Sequence, residues 1–291
     1  MQEIADLQSR LRAAGYIADP QLAAALALVI QLERPLLVEG EAGVGKTEIA
    51  KALAAAYGRR LIRLQCYEGL DVNAAVYEWN YQRQLLAIKV QEGARQSAQE
   101  TERHIFGPEF LLKRPLLAAI TEAEPPVLLI DEIDRADEEF EAYLLELLSD
   151  FQVSIPEFGT VRATTIPLVV LTSNATRELS DALRRRCLYH FLDYPSFDKE
   201  LAIVQTKLPE AGAQLARQVV AFVQGLRRLD LRKKPGIAES LDWAAALLGL
   251  GISDLEKCPE VVMESLACLL KTREDRGAVT GEVVQRMVAN G

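Results

Sequence analysis

A short glycine-rich segment between an apolar run and a helical run is the feature that most restricts the fold. Residues Gly40 to Thr47 read G-E-A-G-V-G-K-T, with Leu36 to Val38 before them and the helical run Glu48 to Ala56 after them. Because glycine has no Cβ, such a loop can curl round a phosphate with its backbone N–H groups pointing inward. A helix that starts at the end of the loop adds the positive end of its dipole. The segment therefore predicts a strand, a phosphate-binding loop and a helix.

The side chains of this loop fit a nucleoside triphosphate. Lys46 is placed to reach the β- and γ-phosphates, and the Thr47 hydroxyl is placed to ligate Mg²⁺. Tyr16 and Ile17 are candidates for the adenine pocket, and packing in the core explains them equally well. We expect the nucleotide to contact Gly40, Glu41, Ala42, Gly43, Val44, Gly45, Lys46, Thr47 and Glu48.

A second motif carries two adjacent carboxylates. Residues Val127 to Glu132 read V-L-L-I-D-E, an apolar strand that ends in Asp131 and Glu132. Asp131 would hold Mg²⁺ through water, and Glu132 would polarise the attacking water. A solvated pair at the end of a strand is the alternative interpretation. Together with the loop, the motif predicts that the chain binds and hydrolyses ATP with Mg²⁺.

Composition limits the class of partner. Of the 291 residues, 49% are hydrophobic and 26% are charged, which is typical of a folded globular protein. The formal net charge of −9 disfavours a nonspecific nucleic-acid binder, so we expect no nucleic acid partner. The longest apolar stretch, Leu22 to Ile30, is too short to span a bilayer, and the acidic N-terminus does not look like a signal peptide. The widely spaced cysteines fit a reducing cytoplasm, where we expect the protein to be.

Apolar strands alternate with helical segments through the first two thirds of the chain. The predicted strands are Leu36 to Glu39, Leu61 to Gln65, Val127 to Asp131, Leu168 to Thr172 and Leu188 to Leu192. This order predicts an α/β fold with a five-stranded parallel sheet. After Pro195 only helical patterns occur. We therefore expect a nucleotide-binding domain over residues 1–195 and a smaller all-helical domain over residues 196–291.

Two further polar segments precede the end of the predicted sheet. Asn174 follows the apolar strand Leu168 to Thr172, where it could contact the γ-phosphate or the attacking water, although Ser-Asn is also a common turn. Arg184, Arg185 and Arg186 end a short helix just before the last strand. Basic residues at a helix C-terminus suit the helix dipole, but three in succession exceed that need.

With these segments in this order, nearly the whole chain resembles the AAA+ ATPases. The resemblance implies a P-loop AAA+ core with a helical C-terminal lid domain. It identifies the phosphate loop, the Asp131-Glu132 strand and Asn174 with Walker A, Walker B and sensor 1. It also implies that Arg186, or Arg184, is an arginine finger that acts on the nucleotide of the neighbouring subunit, and hence that the chain forms a homo-hexamer.

Within the AAA+ ATPases, D-E-I-D-R-A (Asp131 to Ala136) resembles the D-E-I-N-R-A box of the MoxR branch, with Asp134 in place of asparagine. An insert over Cys66 to Ile120 and a hairpin over Gln152 to Ala163 agree with that branch. The amino-acid sequence around Tyr77 to Tyr81 is most similar to that of the MoxR-like ATPases that complete the copper-sulfur-molybdenum centre of aerobic carbon monoxide dehydrogenase. The resemblance implies a protein client such as a molybdenum enzyme, and a von Willebrand A-type adaptor.

One position departs from the MoxR pattern. MoxR relatives usually carry a sensor 2 arginine at the start of a lid helix, in a G-x-S-x-R-like motif, whereas the segment Gly236 to Ser240 has Ser240 at that position. This puts the coupling of the lid to the γ-phosphate in doubt, and Arg232, Lys233 and Lys234 are nearby candidates for a substitute.

These observations favour a ring-shaped motor that couples ATP hydrolysis to remodelling of a protein client, in maturation or metal-centre assembly of a metalloenzyme. A small-molecule kinase also has a phosphate loop, and a DNA-remodelling AAA+ motor is a further alternative. Trp79 and Tyr81 in the insert could contact the client, or they could pack the insert onto its own subunit.

Overall fold

The structure, a computed structural model, describes residues 2–91 and 98–289. Its strands are β1 (Leu36–Glu39), β2 (Leu61–Gln65), β3 (Tyr77–Trp79), β4 (Leu111–Lys113), β5 (Val127–Asp131), β6 (Gln152–Ile155), β7 (Gly159–Arg162), β8 (Leu168–Ser173) and β9 (Leu188–Phe191). Its helices are α1 (Gln2–Ala13), α2 (Pro20–Leu32), α3 (Lys46–Tyr57), α4 (Val72–Ala75), α5 (Tyr81–Gln91), α6 (Ala98–Ile105), α7 (Pro115–Thr121), α8 (Glu138–Asp150), α9 (Asp181–Arg186), α10 (Phe197–Lys207), α11 (Gly212–Arg227), α12 (Ile237–Gly249), α13 (Pro259–Ser265), α14 (Arg273–Ala278) and α15 (Gly281–Ala289).

The chain divides into two compact units. The first unit comprises Pro20–Glu39 and Leu53–His190, together with the first residues of the chain. The second unit comprises Ala5–Asp19, Gly40–Ala52 and Phe191–Gly291. The phosphate loop therefore groups with the C-terminal helices, and the Asp131-Glu132 motif groups with the sheet.

A five-stranded parallel sheet organises the first unit, in the order β2-β5-β8-β1-β9. Every residue of β1, β5 and β8 is buried, because helices cover both faces of such a sheet. The register sets Glu39 beside Ser173, so polar residues collect at the carboxyl ends of neighbouring strands. The predicted α/β fold with five parallel strands is confirmed, and the strand limits agree within one residue.

The described residues of the insert after β2 add side chains to the core that contains the sheet. Strand β3 pairs antiparallel with β4, and β6 pairs antiparallel with β7 as the predicted hairpin. Trp79 is only 5% exposed, stacks edge-on against Phe106 and directs its indole N–H to the Glu157 carboxylate at 3.4 Å. Trp79 is thus a core residue, as the packing interpretation expected. Among the described residues of the insert, the exposed large apolar side chains are Tyr81, Leu85, Leu86 and Val90 on α5, together with Tyr67 and Leu112.

Helices form the C-terminal part of the second unit, as the sequence predicted. Phe222 of α11 and Trp243 of α12 pack with their ring centroids 4.9 Å apart in a core of aliphatic side chains. The two last described helices are short, with six residues in α14 and nine in α15. Among the described residues, no helix is long and apolar enough to cross a membrane.

Candidate nucleotide-binding and hydrolysis site

The phosphate loop has the backbone geometry that its glycines allow. Gly43 has φ +81° and Gly45 has φ +94°, a region that side chains with a Cβ rarely enter. At Gly40, a Cβ would lie 2.2 Å from the carbonyl oxygen of Leu192. These three positions leave a concave loop lined by backbone groups, which is the shape a phosphate requires.

Lys46 begins helix α3 and turns its ammonium group back onto the loop. Its Nζ donates to the carbonyl oxygens of Gly40 and Glu41, both at 2.7 Å, and the residue is 7% exposed. Thr47 and Glu48 follow in the first turn of α3, where the helix dipole favours negative charge. The buried ammonium group of Lys46 therefore lies against the loop that the sequence predicts to bind the phosphates.

Tyr16 and Ile17 lie in the turn between α1 and α2, and both are half-buried. The Tyr16 amide donates to the Leu11 carbonyl at 2.9 Å. Burial raises the pKa of the Tyr16 hydroxyl, and the nearby carboxylates of Asp19 and Glu48 raise it further. Tyr16 therefore lies close to the helix that follows the phosphate loop, and its role in an adenine pocket stays a prediction.

A cavity of about 740 Å³ opens beside the phosphate loop within the second unit. Glu41, Ala42 and Gly43 line one side of it. The candidate substitutes for the sensor 2 arginine, Arg232, Lys233 and Lys234, also line it. The backbone amides of Arg232 and Lys233 donate to the Asp275 carboxylate at 2.8 and 3.1 Å, which fixes the segment that carries these side chains.

In the first unit, Asp131 ends β5 with its carboxylate held from two sides. Arg63 on β2 donates to Oδ2 from Nε at 3.0 Å and from Nη2 at 2.5 Å. The Thr172 hydroxyl on β8 donates to Oδ1 at 2.6 Å. Because Asp131 is 2% exposed, these bonds offset the cost of burying its charge. The Asp131 carboxylate is therefore held in a fixed orientation by other side chains of the protein.

Glu132 adopts a left-handed backbone conformation, with φ 56° and ψ 51°. Such a conformation is uncommon for a residue with a side chain and is concentrated at functional sites. Its amide donates to the Thr172 hydroxyl at 2.9 Å, and its carboxylate pairs with Arg135 at 3.0 Å. The side chain is 35% exposed, so the carboxylate expected to polarise water is accessible to solvent.

Asp134 connects the segment after β5 to the segment after β8. Its Oδ2 accepts from the amide and the hydroxyl of Thr176, at 3.0 and 2.6 Å. Burial acts to raise the pKa of Asp134, but the hydrogen bonds from Thr176 and the Asn174 backbone outweigh it, so the pKa lies below its ordinary value. Asn174 is half-buried directly after β8.

The three arginines of α9 differ in their surroundings. Arg184 pairs with the buried Glu39 carboxylate at 3.0 Å. Arg186 donates to the Ser149 hydroxyl and, at 3.1 Å, to the Ala182 carbonyl. Arg185 is exposed, and none of the described residues makes a hydrogen bond or an ion pair with its side chain.

Sequence reasoning missed Arg63, Thr172 and the role of Gly236. Arg63 is an exposed-side position of an edge strand, and Thr172 reads as part of a strand-ending triplet, so neither stands out. Gly236 closely approaches Gly43, where a Cβ would lie 2.6 Å from the Gly43 Cα. The only available signal was the glycine itself, placed just before a helical run.

The arrangement supplies the groups that bind a triphosphate and Mg²⁺. In the second unit, the curled loop would hold the phosphates and Lys46 would neutralise their charge. The Thr47 hydroxyl of the second unit and the Asp131 carboxylate of the first unit are each oxygen ligands of the kind that Mg²⁺ prefers. Within the described ranges, no group of three or more His, Cys, Asp or Glu side chains could hold a resident metal ion.

Comparison with known proteins agrees with this geometry. Residues 35–187 match the family described as AAA domain (dynein-related subfamily). Two mutant forms of Thermotoga maritima RuvB share the fold: one has a TM-score of 0.50 at 18% identity and the other 0.52 at 16% identity. The alignments cover 90% and 92% of this chain, and 72% and 73% of the RuvB chains. No curated protein matches the chain. The family match spans more than half of the chain and includes the phosphate loop, Asp131-Glu132 and Asn174, so the chain belongs to the AAA ATPases of the dynein-related subfamily.

Proposed function

We propose that the chain is a MoxR-type AAA+ ATPase that forms a homo-hexameric ring and couples ATP hydrolysis to the remodelling of a protein client. Membership of the AAA family implies ATP hydrolysis and supports a remodelling motor. The branch assignment is carried by the D-E-I-D-R-A box at Asp131 to Ala136, together with the insert after β2 and the hairpin β6-β7.

In this proposal, each candidate residue has one task. Residues Gly40 to Glu48 would bind the phosphates, and Thr47 and Asp131 would hold Mg²⁺, which would supply positive charge to the phosphates when bound. Glu132 polarises the attacking water, and Asn174 orients it. Arg186 or Arg184 acts on the nucleotide of the neighbouring subunit, and the exposed Arg185 is the third candidate.

The proposed client is an enzyme whose metal centre is being assembled, such as a molybdenum enzyme of the carbon monoxide dehydrogenase type. Support comes from the similarity of the insert around Tyr77 to Tyr81 to the ATPases that mature that enzyme. The same proposal includes a von Willebrand A-type adaptor as a partner and a cytoplasmic location. It also places the boundary between the nucleotide-binding domain and the helical lid domain between residues 195 and 196. The AAA family match does not favour a small-molecule kinase, and the net charge of −9 argues against a DNA-remodelling motor.

Two substitutions test the ATPase part. Lys46→Ala should abolish nucleotide binding, because the loop loses its cation. Glu132→Gln should keep nucleotide binding but lower turnover at least ~10²-fold, the usual contribution of a positioned base. Normal hydrolysis by the Glu132→Gln variant would show that another group activates the water.

The Glu132→Gln variant also tests the client part. A ring that binds ATP and hydrolyses it slowly should retain its client, so proteins that co-purify with the variant in ATP can be identified by mass spectrometry. Lys46→Ala, which should not bind ATP, is the matched control. A molybdenum enzyme enriched only with Glu132→Gln supports the proposal, and enrichment of DNA or of unrelated proteins in its place contradicts it.

A further inference from the structure

We propose that the C-terminal helical region orients the phosphate loop through a backbone contact between the start of α12 and Gly43. The proposal rests on the proposed function, because it concerns how the loop binds its nucleotide. All residues involved belong to the second unit.

One hydrogen bond joins the helix to the loop. The amide of Ile237 donates to the Gly43 carbonyl oxygen at 2.8 Å. Ile237 is the first residue of α12, and the first N–H groups of a helix have no partner within the helix. The Gly43 carbonyl therefore satisfies a donor that α12 leaves unpaired.

This hydrogen bond also orients the next N–H group of the loop. In a trans peptide the C=O and the following N–H point in opposite directions, and no cis peptide bond occurs among the described residues. With its carbonyl turned to α12, the Gly43-Val44 peptide directs the Val44 N–H away from the helix. Inward-pointing amides of such a loop are the donors that bind a phosphate. The start of α12 thereby sets one donor of the phosphate site.

Gly236 is the residue that makes this approach possible. A Cβ at Gly236 would lie 2.6 Å from both the Cα and the carbonyl oxygen of Gly43 and 2.8 Å from its carbonyl carbon. Backbone atoms cannot move aside as the end of a flexible side chain can. The Gly236 amide donates to the Glu239 carboxylate at 3.0 Å, which fixes the residue in its extended conformation.

A buried polar network holds the residues on both sides of Gly236. Arg227 donates to the Pro235 carbonyl at 2.7 Å and to both oxygens of Glu200, at 2.6 and 2.8 Å. Glu200 is fully buried and also accepts from the Ser240 hydroxyl at 2.7 Å. Ser240, at the position of the sensor 2 arginine, therefore bonds inside the helical region. The network holds the segments on both sides of Gly236 in place.

The contact should act in both directions. If the start of α12 favours the phosphate-binding form of the loop, a bound nucleotide must favour the docked form of α12 to the same extent. Gly236 and Ile237 are thus positioning residues that act on the nucleotide through Gly43 and Val44. The expected consequence is that loss of the contact weakens nucleotide binding.

The first test removes the Ile237 donor and leaves the helix intact. Proline is tolerated at the first position of a helix, and the extended conformation of Gly236 suits a residue before proline. Ile237→Pro is compared with Ile237→Val, which keeps the N–H group. Calorimetric titration with ADP should give a dissociation constant about 2- to 10-fold higher for the proline variant than for the valine variant, the range for one hydrogen bond.

The second test adds a single methyl group at each of two glycines of the same region. Gly236→Ala forces the loop and the helix apart, and should weaken ADP binding about 5- to 100-fold, the range for steric overpacking. Gly249→Ala, at the end of α12, is the matched control, because a Cβ there meets no atom within 4 Å. The control should bind ADP as the wild-type chain does.

Hydrogen exchange of the wild-type chain decides the outcome if a variant fails to fold. ADP should slow amide exchange in the segment 236–240, and unchanged exchange there would overturn the proposal. Equal affinities within each pair of variants, in a wild-type chain that binds ADP, would overturn the backbone contact and leave the ATPase proposal standing. A wild-type chain that does not bind ADP would overturn both.

Discussion

The Thr172 hydroxyl accepts the amide N–H of Glu132 at 2.9 Å and donates its own hydrogen to Asp131 at 2.6 Å. One side chain of β8 thus fixes both carboxylate residues at the end of β5. It holds Glu132 in its left-handed conformation and directs the Asp131 carboxylate. A residue of the neighbouring strand β8 therefore sets the orientation of the proposed magnesium ligand, Asp131, and of the proposed water-polarising residue, Glu132.

Thr172→Val should lower ATP turnover more than it lowers nucleotide affinity. The substitution keeps the shape of the side chain but leaves the Glu132 amide unpaired, which costs about 1–3 kcal/mol if the left-handed conformation is kept. We expect kcat to fall about tenfold, while Thr172→Ser, which keeps the hydroxyl, retains most of the activity. Steady-state ATPase assays of both variants provide the measurement. Equal activity of Thr172→Val and wild type would mean that Glu132 is oriented without this hydroxyl.

Single alanine variants at Arg184, Arg185 and Arg186 should distinguish a role between subunits from a role in folding. Arg184→Ala leaves the buried Glu39 carboxylate without this partner, so its melting temperature should fall. Arg185→Ala removes an exposed side chain, so any loss of turnover in that variant reflects another subunit. The finger residue should lower turnover strongly, up to ~10³-fold or more, without a comparable loss of nucleotide affinity.

Mixed rings test the same residues in trans. Subunits that lack the finger arginine, when mixed with Glu132→Gln subunits, should regain some activity at interfaces that unite an intact finger with an intact Glu132. Co-assembly is checked by differently tagged subunits. If co-assembled rings show no recovery, the arginine acts within its own subunit.

Trp79→Ala should destabilise the chain by about 3–5 kcal/mol, as expected for a large aromatic residue removed from a core. Trp79 is 5% exposed and packs edge-on against Tyr77 and Phe106. Tyr81→Ala is the matched comparison, because Tyr81 is 63% exposed and its loss should change stability by no more than about 0.5 kcal/mol. Urea unfolding followed by circular dichroism measures both. A Trp79→Ala variant as stable as Tyr81→Ala would show that the insert does not depend on this side chain.

The contribution of Asp134 to the stability of the chain should depend on pH in the acid range. Its pKa in the folded chain lies below the ordinary value, so its stabilising contribution is complete above the unfolded pKa of about 3.9. The contribution is lost as the pH falls through the lower folded pKa. The stability difference between wild type and Asp134→Asn should therefore shrink as the pH falls below about 4. Denaturant titrations between neutral and acid pH measure it, and a constant difference would show that Asp134 keeps its ordinary pKa.

The sequence by itself determined the parts of the molecule that depend on neighbouring residues. The phosphate loop was readable because its glycines, Lys46 and Thr47 act within one short segment between a strand and a helix. The strands of the sheet were readable because a strand buried on both faces is a continuous apolar run. These patterns were sufficient for the AAA+ fold and for the positions of Asp131, Glu132 and Asn174 at strand ends.

Only the tertiary structure decided which side chains hold those residues in place. Arg63 meets Asp131 across 68 residues of chain, and Thr172 meets Asp131 across 41 residues. Trp79 has the same local pattern whether it is exposed or buried, because alternation over three residues of β3 describes both cases. Side-chain pairing and burial depend on which segments the fold brings together, and local periodicity does not carry that information.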